Sequence, residues 1–266
     1  MWIDSHAHIG AFEEEKRQFI LEEAFASGVE KLINICTSKE DLEVGMALKN
    51  EEFSKKEKPR AKIYNAASIT PHDVLNQAPG SFETFAKAAR EGALVAIGET
   101  GLDYFYERSP KKEQKEEFLK YIELALECEL PLVIHCREAF EDFFEIIQST
   151  YASSSKNRLG VLHCFTGSLA EAKKLVDFGW MVSISGIATF KNAGDLREVI
   201  RALPLEHLLI ETDAPWLAPQ SKRGQENAPA YVVEVGVLVA DIHRISIEKC
   251  AETTSANAVR LFALDA

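Results

Sequence analysis

Eight short runs rich in apolar and β-branched residues alternate with longer stretches of helical spacing, and most of the histidines and several acids fall at the carboxyl ends of those runs. These two features predict an α/β chain folded as a (β/α)₈ TIM barrel, which carries its chemistry on the loops at the carboxyl ends of its strands. An open doubly wound sheet uses the same alternation. Such a sheet holds its first and last strands far apart. Here strands one and eight both carry candidate site residues, so closure into a barrel is the expected solution.

The strands are expected, in order, at "WIDSHAH" near Met1, "KLINIC" near Lys31, "KIYNAAS" near Lys62, "LVAIGET" near Leu94, "LPLVIHC" near Leu130, "LGVLHCF" near Leu159, "WMVSISG" near Trp180 and "HLLIETD" near His207. Helical segments between them include Glu13 to Ser27, Lys111 to Glu127, Ala139 to Ser149, Ser168 to Phe178 and Ala193 to Ala202, with Pro229 to His243 after the last strand. Ser38 with Asp41, and Ser168 with Glu171, have the spacing of capping boxes. Gly28 and Gly179 stand where a helix closes with a left-handed residue. A last helix from Ser246 to about Phe262 is expected to cover the outside of the barrel.

One domain spanning residues 1–266 is expected, since 266 residues that are 46% hydrophobic and 27% charged suffice for one large core. The most plausible breaks, "KKEKPR" at Lys55 to Arg60 and "YASSSKNR" at Tyr151 to Arg158, are short enough to be surface loops. No apolar run approaches the roughly 18 residues of a membrane span, and the first strand begins too near Met1 for a signal peptide, so a cytoplasmic protein without a membrane partner is expected. Five cysteines, odd in number and without a CxxC pair, argue against a disulfide framework or a cysteine zinc site. A net charge of -12, from 30 Lys plus Arg against 42 Asp plus Glu, opposes tight non-specific binding of polyanions. With no exposed apolar stripe and no obligate protein partner indicated, the expected state is a monomer.

The reactive residues recur at equivalent places. Strand one ends in Asp4, His6 and His8, strand four in Glu99 and Asp103, strand five in His135 and Arg137, strand six in His163, and strand eight in Glu211 and Asp213. Alternation along a strand puts His6 and His8 on one side, pairs His135 with Arg137, and turns Cys136 and Cys164 outward against the helices. Four imidazoles and two or more carboxylates exceed what one tetrahedral zinc takes. Two ions are therefore expected, one held by His6, His8, Asp213 and Glu99, the other by Glu99, His135 and His163, with Glu99 as the bridge. A single histidine at a strand end is more often a hydrogen-bonded residue than a ligand; four at equivalent positions are not. Asp4, Asp103 and Glu211 either orient ligand histidines from behind or act as caps, and Arg137 either meets substrate or pairs with one of them. His72, His207 and His243 lack a partner at metal spacing and are left outside the site. The run "ERSPKKEQKEE" from Glu107 to Glu117 reads as a solvated helix start.

With HxH on strand one followed in order by "GETGLDY", "IHCR", "LHCFTG", "GIATFKNA" and "ETDAPWLAP", essentially the whole chain resembles the TatD family of metal-dependent hydrolases, the TatD-type deoxyribonucleases of the amidohydrolase superfamily. The resemblance implies a metallo-dependent hydrolase barrel with metal ligands at His6, His8, Glu99, His135, His163 and Asp213, the same set that spacing selects. "LVAIGET" has no lysine, so a carbamylated-lysine bridge of the kind some amidohydrolases use is not implied. Two departures stand at the mouth of the site: Trp216 where the family commonly has tyrosine, and Ala228 where it often has an acid.

The expected activity is deoxyribonuclease, with Asp213 and Glu99 as catalytic residues, Asp213 taking a proton from the attacking water, and Arg137, Lys191 and Arg223 contacting phosphate. Nucleic acid is then the substrate and two divalent ions, zinc, manganese, magnesium or similar, are the cofactors. The alternatives are an ester or amide hydrolase, such as an aminoacyl-tRNA deacylase, and a non-enzymatic binding module stabilised by metal.

Overall fold

A computed structural model describes residues 1–50, 59–106, 108–151 and 160–265. Most of the two expected surface loops, Lys55 to Arg60 and Tyr151 to Arg158, lies outside the described residues.

Eight parallel strands form one sheet in sequence order: β1 Trp2–Ala7, β2 Val29–Cys36, β3 Lys62–Ala67, β4 Leu94–Asp103, β5 Leu132–Arg137, β6 Gly160–Leu162, β7 Met181–Ile184 and β8 Leu208–Ile210. All eight coincide with the apolar runs. The seam between β1 and β8 is closed just past the last strand. There the Asp213 N–H donates to the His6 carbonyl at 2.9 Å, the His8 N–H donates to the Ala214 carbonyl at 2.8 Å, and Ala7 bridges Ala214 in parallel. The hydroxyl of Ser5 adds a bond to the Ile210 carbonyl at 3.0 Å. Residues of the first and last strands thus reach one site, as a TIM barrel requires.

The helices are α1 Glu14–Ala26, α2 Lys39–Asn50, α3 Ser81–Arg90, α4 Lys111–Cys128, α5 Phe140–Ser149, α6 Leu169–Asp177, α7 Gly194–Ala202, α8 Val232–His243 and α9 Ile247–Phe262. Both capping boxes form. Ser38 Oγ accepts from Asp41 N at 3.0 Å while Asp41 accepts from Ser38 N at 3.2 Å, and Ser168 and Glu171 do the same before α6. Gly28 and Gly179 close α1 and α6 at φ of 86° and 78°. Outside the barrel, an apolar layer that includes Leu21, Leu32, Phe85, Leu102, Phe118, Ile134 and Trp180 joins strands to helices.

Two expectations need correction here. The last helix, α9, does more than cover the outside. Ala258, Leu261, Phe262 and Leu264 pack with Ile3, Ile33, Tyr64, Ala96, Val133, Val161, Met181 and Leu209 from the strands, so the end of α9 plugs the barrel interior opposite the site. Asp265, just beyond it, pairs with Lys62 and Tyr64. The start of α4 is not simply solvated either: Gln114 and Glu117 are buried because one face of the first turns packs against the barrel. Gln114 accepts from Asp103 N at 2.8 Å and donates to the Asp103 carbonyl at 2.9 Å, which fixes the end of β4.

Candidate metal centre

The end of β1 and the loop after it carry His6 and His8, whose Nε2 atoms lie 3.2 Å apart. Around them stand Glu99 Oε2, at 3.4 Å from His6 and 3.6 Å from His8, and Asp213 Oδ1, at 3.6 Å and 3.4 Å respectively. Donors bound at about 2.0–2.1 Å to a tetrahedral cation are separated by about 3.4 Å, so His6, His8 and Glu99 are spaced to hold one ion, with Asp213 at the same range from both rings. Two ring nitrogens and two carboxylate oxygens converging at this range repel one another unless a cation or protons stand between them.

The other oxygen of Glu99 faces a different pair. Oε1 is 2.9 Å from His135 Nδ1 and 2.9 Å from His163 Nε2, and those two nitrogens are 3.2 Å apart. One carboxylate thus presents a separate oxygen to each of two histidine pairs. β4 and β5 approach closely two residues beyond Glu99: Gly101 sits at φ 135°, where a Cβ would lie 2.1 Å from the His135 carbonyl oxygen, so only glycine fits there.

Electrostatics support charge at the centre. Burial raises the Glu99 carboxyl, but His163, His135 and His6 outweigh it and hold Glu99 well below the usual carboxylate range. Asp213 is likewise lowered against its burial by His8, His6 and His163. Burial and the nearby His163 push His6 down, which keeps its ring neutral as a ligand must be. Burial would lower His163 as well, yet Glu99 and Glu211 hold it well above its ordinary value, and Asp103 and Glu99 raise His135. A proton and a cation compete for the same lone pairs on these two rings.

The residues behind the two histidine pairs divide in two. Asp103 Oδ2 accepts from His135 Nε2 at 2.8 Å, and Glu211 Oε1 lies 3.4 Å from His163 Nδ1 while accepting from Cys164 N at 2.6 Å. Asp4 differs from the expectation that it orients a ligand ring. Its carboxyl accepts from Thr212 N at 3.0 Å, the Thr212 hydroxyl at 2.6 Å and His6 N at 3.2 Å, tying β1 to the segment after β8. Burial, only partly offset by Thr212, pushes this carboxyl up to about 8.

Cys136 joins the apolar layer outside the barrel as expected, whereas Cys164 does not face the helices. β6 ends at Leu162 and Cys164 takes φ 44°, so strand alternation no longer applies and its thiol lies 3.2 Å from Ser185 Oγ, close to the charges of Asp213 and Glu211. His72, set aside in the sequence, donates from Nε2 to Asp103 Oδ2 at 2.9 Å and packs edge-on against His135 at 5.2 Å. Its only sequence signal is its place five residues past the end of β3, on the rim where the other site residues stand. His207 bonds the Trp180 carbonyl, and His243 ends α8.

The rim is aromatic. Trp216, 52% exposed, stands edge-on to His8 at 4.9 Å. The Arg137 guanidinium lies 3.8 Å over Phe105 and 4.7 Å over Tyr106, both about half exposed, and Arg223 lies 4.5 Å over Phe190. Lys191 is exposed beside it, its N–H 3.4 Å from Gln220 Oε1, and Ala228 leads into a short 3₁₀ turn at Pro229–Tyr231.

A TIM barrel that gathers four imidazoles and two carboxylates at the carboxyl ends of its strands defines a metal-dependent hydrolase. A family model described as TatD related DNase matches residues 3–263, and the chain belongs to that family. It is 34% identical over 265 residues to the uncharacterized metal-dependent hydrolase YcfH of Escherichia coli strain K12, covering 99% of this chain and 96% of that protein. It is 35% identical over 207 residues to the 3'-5' ssDNA/RNA exonuclease TatD of Klebsiella pneumoniae, covering 76% of this chain and 78% of that one. The crystal structure of YjjV, a TatD homolog from Escherichia coli, superposes with a TM-score of 0.86 at 27% identity, over 99% of this chain and 98% of that chain. No helix among the described residues is long and apolar enough to cross a membrane.

Proposed function

We propose that this chain hydrolyses phosphodiester bonds of DNA from an unpaired end, with two divalent ions that would be held by His6, His8, Asp213 and Glu99 and by Glu99, His135 and His163. The observation that carries the reading is the division of Glu99 between two histidine pairs, with Oε2 toward His6 and His8 and Oε1 toward His135 and His163. A pair of divalent ions, when bound, lowers the pKa of water from about 15.7 toward about 7 and stabilises the attacking and leaving oxygens of an in-line displacement. Asp213, whose Oδ1 reaches the His6 and His8 cluster, holds the attacking water and takes its proton. Two divalent cations, when bound, would offset the carboxylates gathered at the centre of a chain whose net charge is -12.

The rim supports an unpaired strand. Trp216, Phe105 and Tyr106 offer exposed ring faces or edges, and stacking of bases on such rings contributes about 1–3 kcal/mol per base without regard to sequence. Arg137, Lys191 and Arg223 supply the phosphate contacts. A relative named as a 3'-5' ssDNA/RNA exonuclease supports the same substrate class. The five cysteines are unpaired, which fits action in the reducing cytoplasm.

The test is a parallel assay of chelator-stripped protein restored with zinc, manganese, cobalt or magnesium, on end-labelled single-stranded DNA, duplex DNA, RNA and an aminoacyl ester. Stepwise shortening of single-stranded DNA that needs added metal supports the reading. Turnover of the ester with no cleavage of any nucleic acid refutes it in favour of acyl hydrolysis.

A further inference from the structure

We propose that His72 is a positioning residue for the cluster of Glu99, His135 and His163, acting on His135 through Asp103. The inference rests on the ligand set proposed above and adds a residue to it. A single oxygen of Asp103, Oδ2, meets two imidazoles, His135 Nε2 at 2.8 Å and His72 Nε2 at 2.9 Å. The second oxygen, Oδ1, accepts from Phe105 N at 3.0 Å and Tyr106 N at 2.8 Å, and Gln114 clamps the Asp103 backbone from both sides. The carboxyl is buried, and each of its oxygens meets two nitrogens. Oδ1 already accepts two backbone N–H groups, so the carboxyl acts as an acceptor here and both rings present Nε2–H to Oδ2.

For His135 this fixes the tautomer. With the proton on Nε2, the Nδ1 lone pair is left to point at Glu99 Oε1, 2.9 Å away, and at His163 Nε2, 3.2 Å away. With Oδ1 anchored by two backbone N–H groups, His72 completes the surroundings of Oδ2, and removing its donor opens that oxygen to water that competes with His135. His72 is itself held: Ser109 Oγ donates to its carbonyl at 3.3 Å, and the Tyr106 ring stands edge-on to it at 5.4 Å. The His72 ring also packs edge-on against His135, so the same side chain restrains the ligand by bond and by contact.

The experiment titrates chelator-stripped full-length protein with cobalt(II), following the visible spectrum, for the wild type, His72→Phe, His72→Gln and Asp103→Asn, and for His72→Phe combined with Asp103→Asn. The wild type is expected to take up two ions in resolvable steps. His72→Phe keeps the ring and loses the donor; it is expected to weaken one step by about 10- to 100-fold and leave the other within about 2-fold. His72→Gln, which restores an N–H, recovers most of the loss. In the Asp103→Asn background the His72→Phe change costs nothing further. Equal constants in wild type and His72→Phe, equal weakening of both steps, or an undiminished effect in the Asp103→Asn background each overturn the inference. So does a wild type that binds one ion, or one that binds a third at His72, Asp103 and His135. Because the readout is metal uptake, a protein that behaves as expected here and cleaves no nucleic acid refutes the nuclease reading alone.

Discussion

Asp4 supplies the sharpest physical prediction. Its carboxyl is fully buried, accepts from Thr212 and from the His6 N–H, and is pushed from 3.8 up to about 8 by burial that Thr212 only partly offsets. Between these two values the folded chain keeps a proton on Asp4 that the unfolded chain has released. The folded state then binds more protons, so stability falls as pH rises. Asp4's protonation-linked contribution is complete below the unfolded value and is lost as pH climbs through about 8. One proton corresponds to about 1.4 kcal/mol per pH unit, so about 3 kcal/mol is lost between about pH 5 and 7. Asp4→Asn is neutral at every pH and nearly the same shape. Urea unfolding of metal-free wild type and variant at several pH values isolates this one group, because the other titrating residues contribute to both proteins. The difference between the two curves is expected to change by about 3 kcal/mol across that range, with the variant flatter. Parallel curves would refute the placement of a neutral carboxyl at the seam of the barrel.

Thr212→Val removes the hydroxyl that donates to Asp4 at 2.6 Å and is expected to cost about 1–3 kcal/mol in urea unfolding at neutral pH, an unchanged midpoint being the contrary result. Trp216→Ala removes an exposed ring beside His8 and is expected to raise KM for a single-stranded oligonucleotide by about 5- to 150-fold, with kcat within about 2-fold. Steady-state kinetics that show kcat falling and KM constant would place Trp216 in the chemical step instead.

Much of this arrangement is legible in the sequence because the relevant signals are periodic. Apolar runs bounded by turns locate all eight strands, and the same runs fix which histidines stand at strand ends. The capping boxes at Ser38 and Ser168 follow from side chains only three residues apart. What escapes the sequence depends on contacts between distant segments or on broken alternation. His72 has no partner near it in sequence; its partner Asp103 is 31 residues away and reaches it only through barrel closure. Asp4 looks like part of an Asp-x-His-x-His motif, yet its partner Thr212 is 208 residues away across the seam. Cys164 escapes because a left-handed residue follows the end of β6 and turns its side chain out of strand register. The plugging role of α9 escapes for a related reason, since its amphipathic face reads the same whether it covers a barrel or closes one end.

The proposal of two ions sharing Glu99 is tested most directly by elemental analysis of the protein purified without added metal or chelator, beside Glu99→Gln prepared in the same way. Gln keeps the shape of Glu99 and loses the charge and one accepting oxygen, so both histidine pairs lose a shared anion. The expected result is two divalent ions per wild-type chain and one or none in Glu99→Gln. A wild type that carries a single ion, with the same content in Glu99→Gln, would contradict it.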